Sequence, residues 1–108
     1  MAYYKSVPFT PDDGLQYSDL HGLTIGVNDK VDIKFYLKNL SSDLGYDPGD
    51  VVLLTNRSIQ LYYTATEVKA LLFNVGLKPL RVSGTNIEDQ IKSSKWEAVI
   101  VMTVEPLV

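Results

Sequence analysis

The sequence predicts an α+β fold with a mainly antiparallel sheet built from hairpins, and three observations support this prediction. Apolar and polar residues alternate over residues 23–38, which is typical of a β-hairpin. A helix-start pattern followed by apolar residues at helical spacing predicts one main helix over residues 65–75. The chain closes with an apolar run over residues 96–104, which is typical of a buried strand.

The first 22 residues form an extended N-terminal arm in this prediction, and residues 23–108 form a single compact domain. Apolar residues of the arm are scattered among Pro8, Pro11 and Gly14 without the period of a helix or a strand. The first 17 residues include four aromatic ones, which is more than disorder normally allows. We therefore expect residues 1–20 to make few contacts with their own domain and to pack on a neighbouring protein.

The predicted hairpin over residues 23–38 has a register that its apolar residues determine. A three-residue loop at 28–30 puts the apolar side chains on one face by pairing Val27 with Val31, Ile25 with Ile33 and Leu23 with Phe35.

An α-helix over residues 31–44 is the alternative for the second half of this hairpin. Its apolar stripe would consist of Ile33, Tyr36, Leu37, Leu40 and Leu44. The helix would leave Val31 and Phe35 on the opposite face, so the sequence favours the strand and keeps both interpretations open.

A turn and a pair of strands are predicted over residues 47–63. Pro48 and Gly49 suit the two central positions of a type II turn. Residues 51–55 form a continuous apolar run, which indicates a buried strand, and residues 59–63 return after a turn at 56–58.

Capping boxes predict the helices. Thr64 and Glu67 have the spacing that opens the main helix, and Gly76 suits its C-terminal end. The apolar stripe of this helix would be Val68, Leu71, Leu72 and Val75. Thr85 and Glu88 have the same spacing and predict a short helix over residues 86–93. An edge strand over 80–83 should lie between the two helices, because Pro79 cannot donate a hydrogen bond to a sheet. The start signal at Thr10-Pro11 allows a second short helix, which would end near His21-Gly22.

The last predicted strand, residues 96–104, contains seven apolar residues among nine and should be central, with both faces covered. The main helix would cover one face. The short helix offers only Ile87 and Ile91, which is too little apolar surface for the other face. We therefore expect the arm or a partner subunit to supply part of the second layer.

Composition argues against catalysis. The chain has no cysteine and one histidine, His21, with no serine or carboxylate at a recognisable catalytic spacing. The acidic residues lack the alternating spacing of a calcium loop. We predict no catalytic residue, no metal and no cofactor, and we expect the change His21→Ala to leave stability and any activity nearly unchanged.

The net charge of −3 and the lack of a basic run argue against nucleic acid as a partner. No signal peptide is recognisable, and the longest apolar run, residues 98–102, is far shorter than the ~20 residues of a membrane span. We therefore expect no membrane partner, and a location in the cytoplasm or in a virion.

Seven tyrosines are the one compositional excess, and tyrosine is common at protein interfaces. The candidate interface residues are Tyr3, Tyr4, Val7, Phe9, Tyr17 and Tyr62. The sequence thus predicts a non-enzymatic structural or assembly subunit that binds other protein subunits as an oligomer or within a larger assembly. A small component of a viral particle is one example, by analogy of architecture. The alternatives are a small acidic binding protein or inhibitor of a cellular enzyme, and an enzyme subunit whose site another chain completes.

Overall fold

A computed structural model describes residues 2–55, 58–74, 76–82 and 87–106, which form β-strands and one short 3₁₀ helix. The strands are β1 (Ala2–Lys5), β2 (Gln16–Leu20), β3 (Asp29–Asn39), β4 (Val51–Leu54), β5 (Ile59–Tyr63), β6 (Glu67–Leu72) and β7 (Trp96–Pro106), and the 3₁₀ helix is Ser93–Lys95. The predicted α+β fold is therefore wrong, because these residues include no α-helix.

The strands form two antiparallel sheets. Sheet A has the order β1-β7-β3-β4, and sheet B has the order β2-β6-β5. One hydrophobic cluster joins their inner faces. Sheet A contributes, among others, Phe35, Leu37, Ile100 and Met102, and sheet B contributes Val68, Ala70 and Leu72. Two sheets that bury a shared core in this way form a β-sandwich.

Strand β7 is central, as predicted: it pairs with β1 on one side and with the whole of β3 on the other. Its inward residues are all buried, namely Trp96, Ala98, Ile100, Met102 and Val104. The outward residues Val99 and Val101 are only half-buried. The expectation that both faces of this strand are covered is thus wrong for the outward face within the described residues.

The predicted main helix is strand β6. Val68, Ala70 and Leu72 alternate with half-buried residues and all face the core, so a period of two replaces the helical period. The predicted hydrogen bond between Thr64 and Glu67 forms, but it lies in the turn of a β-hairpin and not at the start of a helix. The Thr64 hydroxyl oxygen accepts from the Glu67 N–H at 3.0 Å, as in a helix cap, while the Thr64 N–H donates to the Glu67 carbonyl at 2.8 Å and closes the turn between β5 and β6. Val75, the last residue of the predicted stripe, lies outside the described residues.

The second predicted helix is also absent from residues 87–92. Arg81 donates its N–H to the carbonyl of Ile87 at 2.8 Å, and Leu80 forms an isolated bridge with Glu88. The chain therefore pairs with itself here in extended form, and within its described residues, 80–82, the predicted edge strand is reduced to this bridge. The cap at Thr85 and the rest of residues 83–86 lie outside the described part of the chain.

The predicted hairpin over residues 23–38 does not form. Strand β3 pairs with β7 and β4 instead, and Val27 is almost fully exposed. A tight turn, in which Asp29 donates its N–H to the carbonyl of Gly26, leads into β3. The helical alternative for residues 31–44 is wrong as well, because β3 is extended over eleven residues. Strand β7 is the better partner for β3, because all eleven residues of β3 pair with β7 and the buried residues of the two strands lie on the same face of the sheet.

Strands β4 and β5 belong to different sheets and do not pair. β4 is an edge strand with Val51 and Leu53 exposed, so the prediction of a buried strand there is wrong. Asn56 and Arg57 of the predicted turn lie outside the described residues. The type II turn at Pro48-Gly49 agrees with a 3.0 Å bond from the Asp50 N–H to the Asp47 carbonyl and with a φ of 95° at Gly49.

The N-terminal segment is not an arm that precedes the fold. β1 is an edge strand of sheet A and β2 is an edge strand of sheet B. Pairing along β7 continues past β1, because Phe9 exchanges two backbone hydrogen bonds with Ala98 at 3.0 and 2.8 Å. The expectation of few contacts between residues 1–20 and the rest of the chain is therefore wrong.

His21 is a structural residue in this arrangement. Its ring is buried, Nδ1 accepts from the Leu23 N–H at 2.9 Å, and Nε2 lies 3.0 Å from the carbonyl oxygen of Thr64. Because Nδ1 accepts, Nε2 carries the proton and donates to Thr64. The ring thus ties the end of β2 to the β5–β6 turn.

The expectation from sequence that His21→Ala leaves stability nearly unchanged is therefore revised. The change should lower the free energy of unfolding by about 1–3 kcal/mol, because it removes both bonds and leaves their partners without the ring. Urea unfolding measures this. Ser18→Ala, at an exposed position of β2, is the control and should change stability by less than about 0.5 kcal/mol. Equal stabilities of the two variants would contradict a structural role for His21.

Candidate functional site

The outward faces of the two sheets differ in chemistry. The outward face of sheet B is mostly polar, with Gln16, Ser18, Gln60, Glu67, Lys69 and Tyr62 beside Leu20 and Leu71. Lys69 lies 3.9 Å from the carboxylate of Glu67 and 5.9 Å from the ring centre of Tyr62. This is the solvated face that an antiparallel sheet usually presents to water.

The outward face of sheet A has an apolar centre. The register places Tyr36 between Val99 of β7 and Leu53 of β4, so three neighbouring strands present apolar side chains in one row. Val51 and Val101 extend this row on β4 and β7. No corresponding row exists among the described residues of sheet B.

Four of these side chains, Tyr36, Val51, Val99 and Val101, line an open groove of about 370 Å³, called the outer groove below. Its lining residues are Lys5, Tyr36, Lys38, Val51, Glu97, Val99 and Val101. Leu53 lies outside this lining but next to Tyr36 in the register; it is 43% exposed, and Val51 is 59% exposed. Contiguous exposed apolar surface bordered by charged residues is typical of protein-binding sites.

Lysines border the outer groove. Lys38 lies between Val51 and Glu97 in the register, and Lys5 and Lys34 flank Val101 on its two sides. All three lysines are exposed. Within the described residues none of the three takes part in an ion pair or a side-chain hydrogen bond, so their charges are available to a partner.

The predicted interface residues fall into three places. Tyr3 lies at one end of the outward face of sheet A, opposite Thr103, and is 69% exposed. Val7 is exposed beyond the end of β1, and Tyr62 lies on the outward face of sheet B. The structure thus brings only Tyr3 near the outer groove, and an interface role for these residues stays a prediction.

Tyr4, Phe9 and Tyr17 meet inside the chain. The Phe9 and Tyr17 rings are stacked with centres 4.5 Å apart, and the Tyr4 and Tyr17 hydroxyls are 2.7 Å apart. Tyr4 donates to the Asp19 carboxylate, so the Tyr17 hydroxyl donates to that of Tyr4. This cluster links the edge strands β1 and β2 across the side of the sandwich.

Burial, followed by the hydrogen bond to Asp19, raises the pKa of Tyr4 far above its ordinary value of 10.0. Ionisation would remove the proton that Tyr4 donates and would place two negative charges side by side. The hydroxyl therefore stays neutral and acts as a link between the sheets.

The residues of the outer groove were not among the candidates from the sequence. One signal pointed to them: Val99, Ile100 and Val101 are consecutive and apolar, so this strand carries apolar side chains on its outward face as well as on its core face. No signal in the sequence showed that Tyr36 of β3 and Val51 of β4 belong to the same surface, because pairing between strands distant in sequence decides which residues share a face.

Among the described residues, no group of three or more histidine or acidic side chains could hold a metal ion. Likewise, those residues form no helix with the length and apolarity needed to cross a membrane.

The structure defines the class of this chain as an antiparallel β-sandwich with one apolar outward face. No family model, no curated protein and no solved structure matches the chain. The functional argument therefore depends on the surface itself.

The shifted pKa of Tyr4 predicts how stability depends on pH. Above about pH 10 an unfolded tyrosine loses its proton while folded Tyr4 keeps it, so the unfolded state binds fewer protons and stability falls as pH rises. We expect the loss of unfolding free energy between about pH 9 and about pH 11 to be smaller in Tyr4→Phe than in the wild type.

Urea unfolding at the two pH values measures this difference. Tyr3→Phe is the matched control, because Tyr3 is the exposed neighbour on the same strand, and it should behave as the wild type does. The same pH dependence in Tyr4→Phe and the wild type would contradict the assignment.

Proposed function

We propose that this chain is a non-enzymatic assembly subunit that binds a neighbouring protein subunit through its outer groove. The observation that carries the proposal is the contrast between the sheets. Sheet B presents a mainly polar face to solvent, whereas sheet A presents Tyr36, Val99 and Leu53 in one row with lysines around it.

The energetic basis is the partly exposed apolar surface, in which Val51 and Leu53 are exposed and Tyr36, Val99 and Val101 are half-buried. Removing an apolar side chain from water contributes about 25 cal/mol per Å² of buried apolar area, and these side chains belong to a rigid sheet that loses little entropy when a partner binds. Tyr36 at the centre of the row is one of the residue types, with tryptophan and arginine, that are enriched among the residues carrying most binding energy at interfaces. A virion is one of the assemblies in which such a small subunit would be found.

The proposed partner surface differs from the one expected from sequence. Residues 2–20 supply edge strands to both sheets, so their apolar side chains are partly used inside the chain. The binding role therefore moves from the predicted arm to the face of sheet A, with Tyr3 at its end.

The double change Leu53→Thr with Val99→Thr tests this function. Both residues point outward, and threonine keeps the strand propensity, so the fold should stay intact. Loss of two central contacts should weaken binding to the native partner by about tenfold or more. Light scattering of material purified from its source, with identification of co-purifying proteins, measures the assembly.

The control is Leu20→Thr with Leu71→Thr, which removes the same kind of apolar surface from the outward face of sheet B. This variant should assemble as the wild type does. If the wild type is a monomer that forms only a one-to-one complex with an enzyme, the acidic inhibitor is the correct function and the assembly subunit is wrong.

A further inference from the structure

We infer that the occupant of the outer groove is an amphipathic α-helix of a partner protein, with carboxylates on both sides of its apolar stripe. This inference depends on the proposed function and names the chemistry of the partner. It combines the dimensions of the groove with the charges at its border.

The dimensions follow from the register. Val99, Tyr36 and Leu53 lie on three adjacent strands and span about 10 Å, since neighbouring strands are about 4.8 Å apart. Lys34 and Lys38 lie on β3 two residues before and two residues after Tyr36, about 13 Å apart along the strand. A helix is about 10–12 Å wide, so one that lies across the strands over Tyr36 fits between these lysines.

The lysines around the outer groove favour a partner helix with acidic residues on both sides of its apolar stripe. Lys5, Lys38 and Glu97 line the groove, and Lys34 lies beside Val101 in the register, so these four residues carry a net charge of +2. Asp32, two residues before Lys34 on the same face, is paired with Lys30 at 3.7 Å. Without these four residues the chain has seven basic and twelve acidic residues, a net charge of −5. The positive potential is therefore local to the groove, and carboxylates on each flank of a helix would meet ammonium groups that have no ion-pair partner among the described residues.

A second copy of the chain fits less well. Docking two outer grooves around a two-fold axis would bring two surfaces of charge +2 together, and like charges at an interface cost several kcal/mol of binding free energy. A flat anionic bilayer fits less well too, because Val99 and Val101 are half-buried within a groove that a convex ligand can enter.

Three synthetic helical peptides of about 18 residues test this inference, because shorter helices are marginal in water. Each is alanine-rich with a leucine stripe, and the stripe is flanked by glutamate, glutamine or lysine. Fluorescence anisotropy with labelled peptide measures binding to the full-length protein. We expect binding of the glutamate peptide, about tenfold weaker binding of the glutamine peptide, and still weaker binding of the lysine peptide.

The charge-reversed variant Lys34→Glu with Lys38→Glu should lose the glutamate peptide and gain the lysine peptide. Such an exchange of preference requires direct contact with the flanks, so a general loss of stability cannot produce it. Lys69→Glu with Lys92→Glu makes the same change of net charge elsewhere and should keep the preference of the wild type.

Several outcomes would overturn the inference. Equal binding of the three peptides, or no exchange of preference in the charge-reversed variant, would do so. Self-association of the wild type in sedimentation experiments that the charge-reversed variant abolishes would point instead to a second copy of the chain. Stronger binding to anionic phosphatidylserine vesicles than to the glutamate peptide would point instead to a membrane. A native partner that is lost with Leu53→Thr and Val99→Thr but kept with Lys34→Glu and Lys38→Glu would leave the proposed function standing and refute the acidic helix.

Discussion

The fold depends on β7. Its eleven residues pair with β3 and four of them also with β1, and every second side chain from Trp96 to Val104 is buried against the inner core. Trp96 anchors one end of the strand: its ring is buried, and Nε1 donates to the Asp43 carboxylate at 3.0 Å. A buried indole requires such a partner, because an unpaired N–H away from water costs about 1–3 kcal/mol. Asp43 also accepts from the Lys92 N–H at 2.9 Å, so one carboxylate ties the loop after β3 to the chain that leads into β7.

The turn around Asp43, which holds this carboxylate in place, contains a strained backbone conformation. Leu44 has a φ of 53° and Gly45 a φ of 86°, and the Tyr46 N–H donates to the Asp43 carbonyl at 2.9 Å. Two consecutive positive φ values are characteristic of a type I′ turn, and a leucine in this region costs roughly 1–2 kcal/mol. The contacts on both sides of the turn offset this strain: Tyr46 packs edge-on against Trp96 with ring centres 5.4 Å apart and donates its hydroxyl to the Leu80 carbonyl at 2.7 Å.

The outer groove follows from the same central strand. A sandwich of this size needs only one buried face per strand, so Val99 and Val101 exceed what the core requires. The fold places Tyr36 and Leu53 beside them and surrounds the row with lysines that the core does not use. At the side of the sandwich where β1 and β2 lie, the aromatic side chains contact each other instead of solvent. Tyr4 and Tyr17 are hydrogen-bonded there, and Phe9 stacks on Tyr17. Apolar and aromatic side chains of similar type thus have different roles on the two sides, and only their position in the sheets distinguishes them.

The sequence by itself determined features that depend on neighbouring residues: the strand character of residues 96–104, the turn at Pro48-Gly49, and the hydrogen bond between Thr64 and Glu67. It could not decide what lies beyond that turn, because Val68, Leu71 and Leu72 satisfy a helical stripe and a strand equally well over six residues. Packing against sheet A favours the strand, because Val68, Ala70 and Leu72 are then all buried in the shared core. The outer groove likewise required tertiary structure. Val51, Tyr36 and Val99 are far apart in the chain, and they share a face only because β7 pairs with β3 along its full length and β3 pairs with β4.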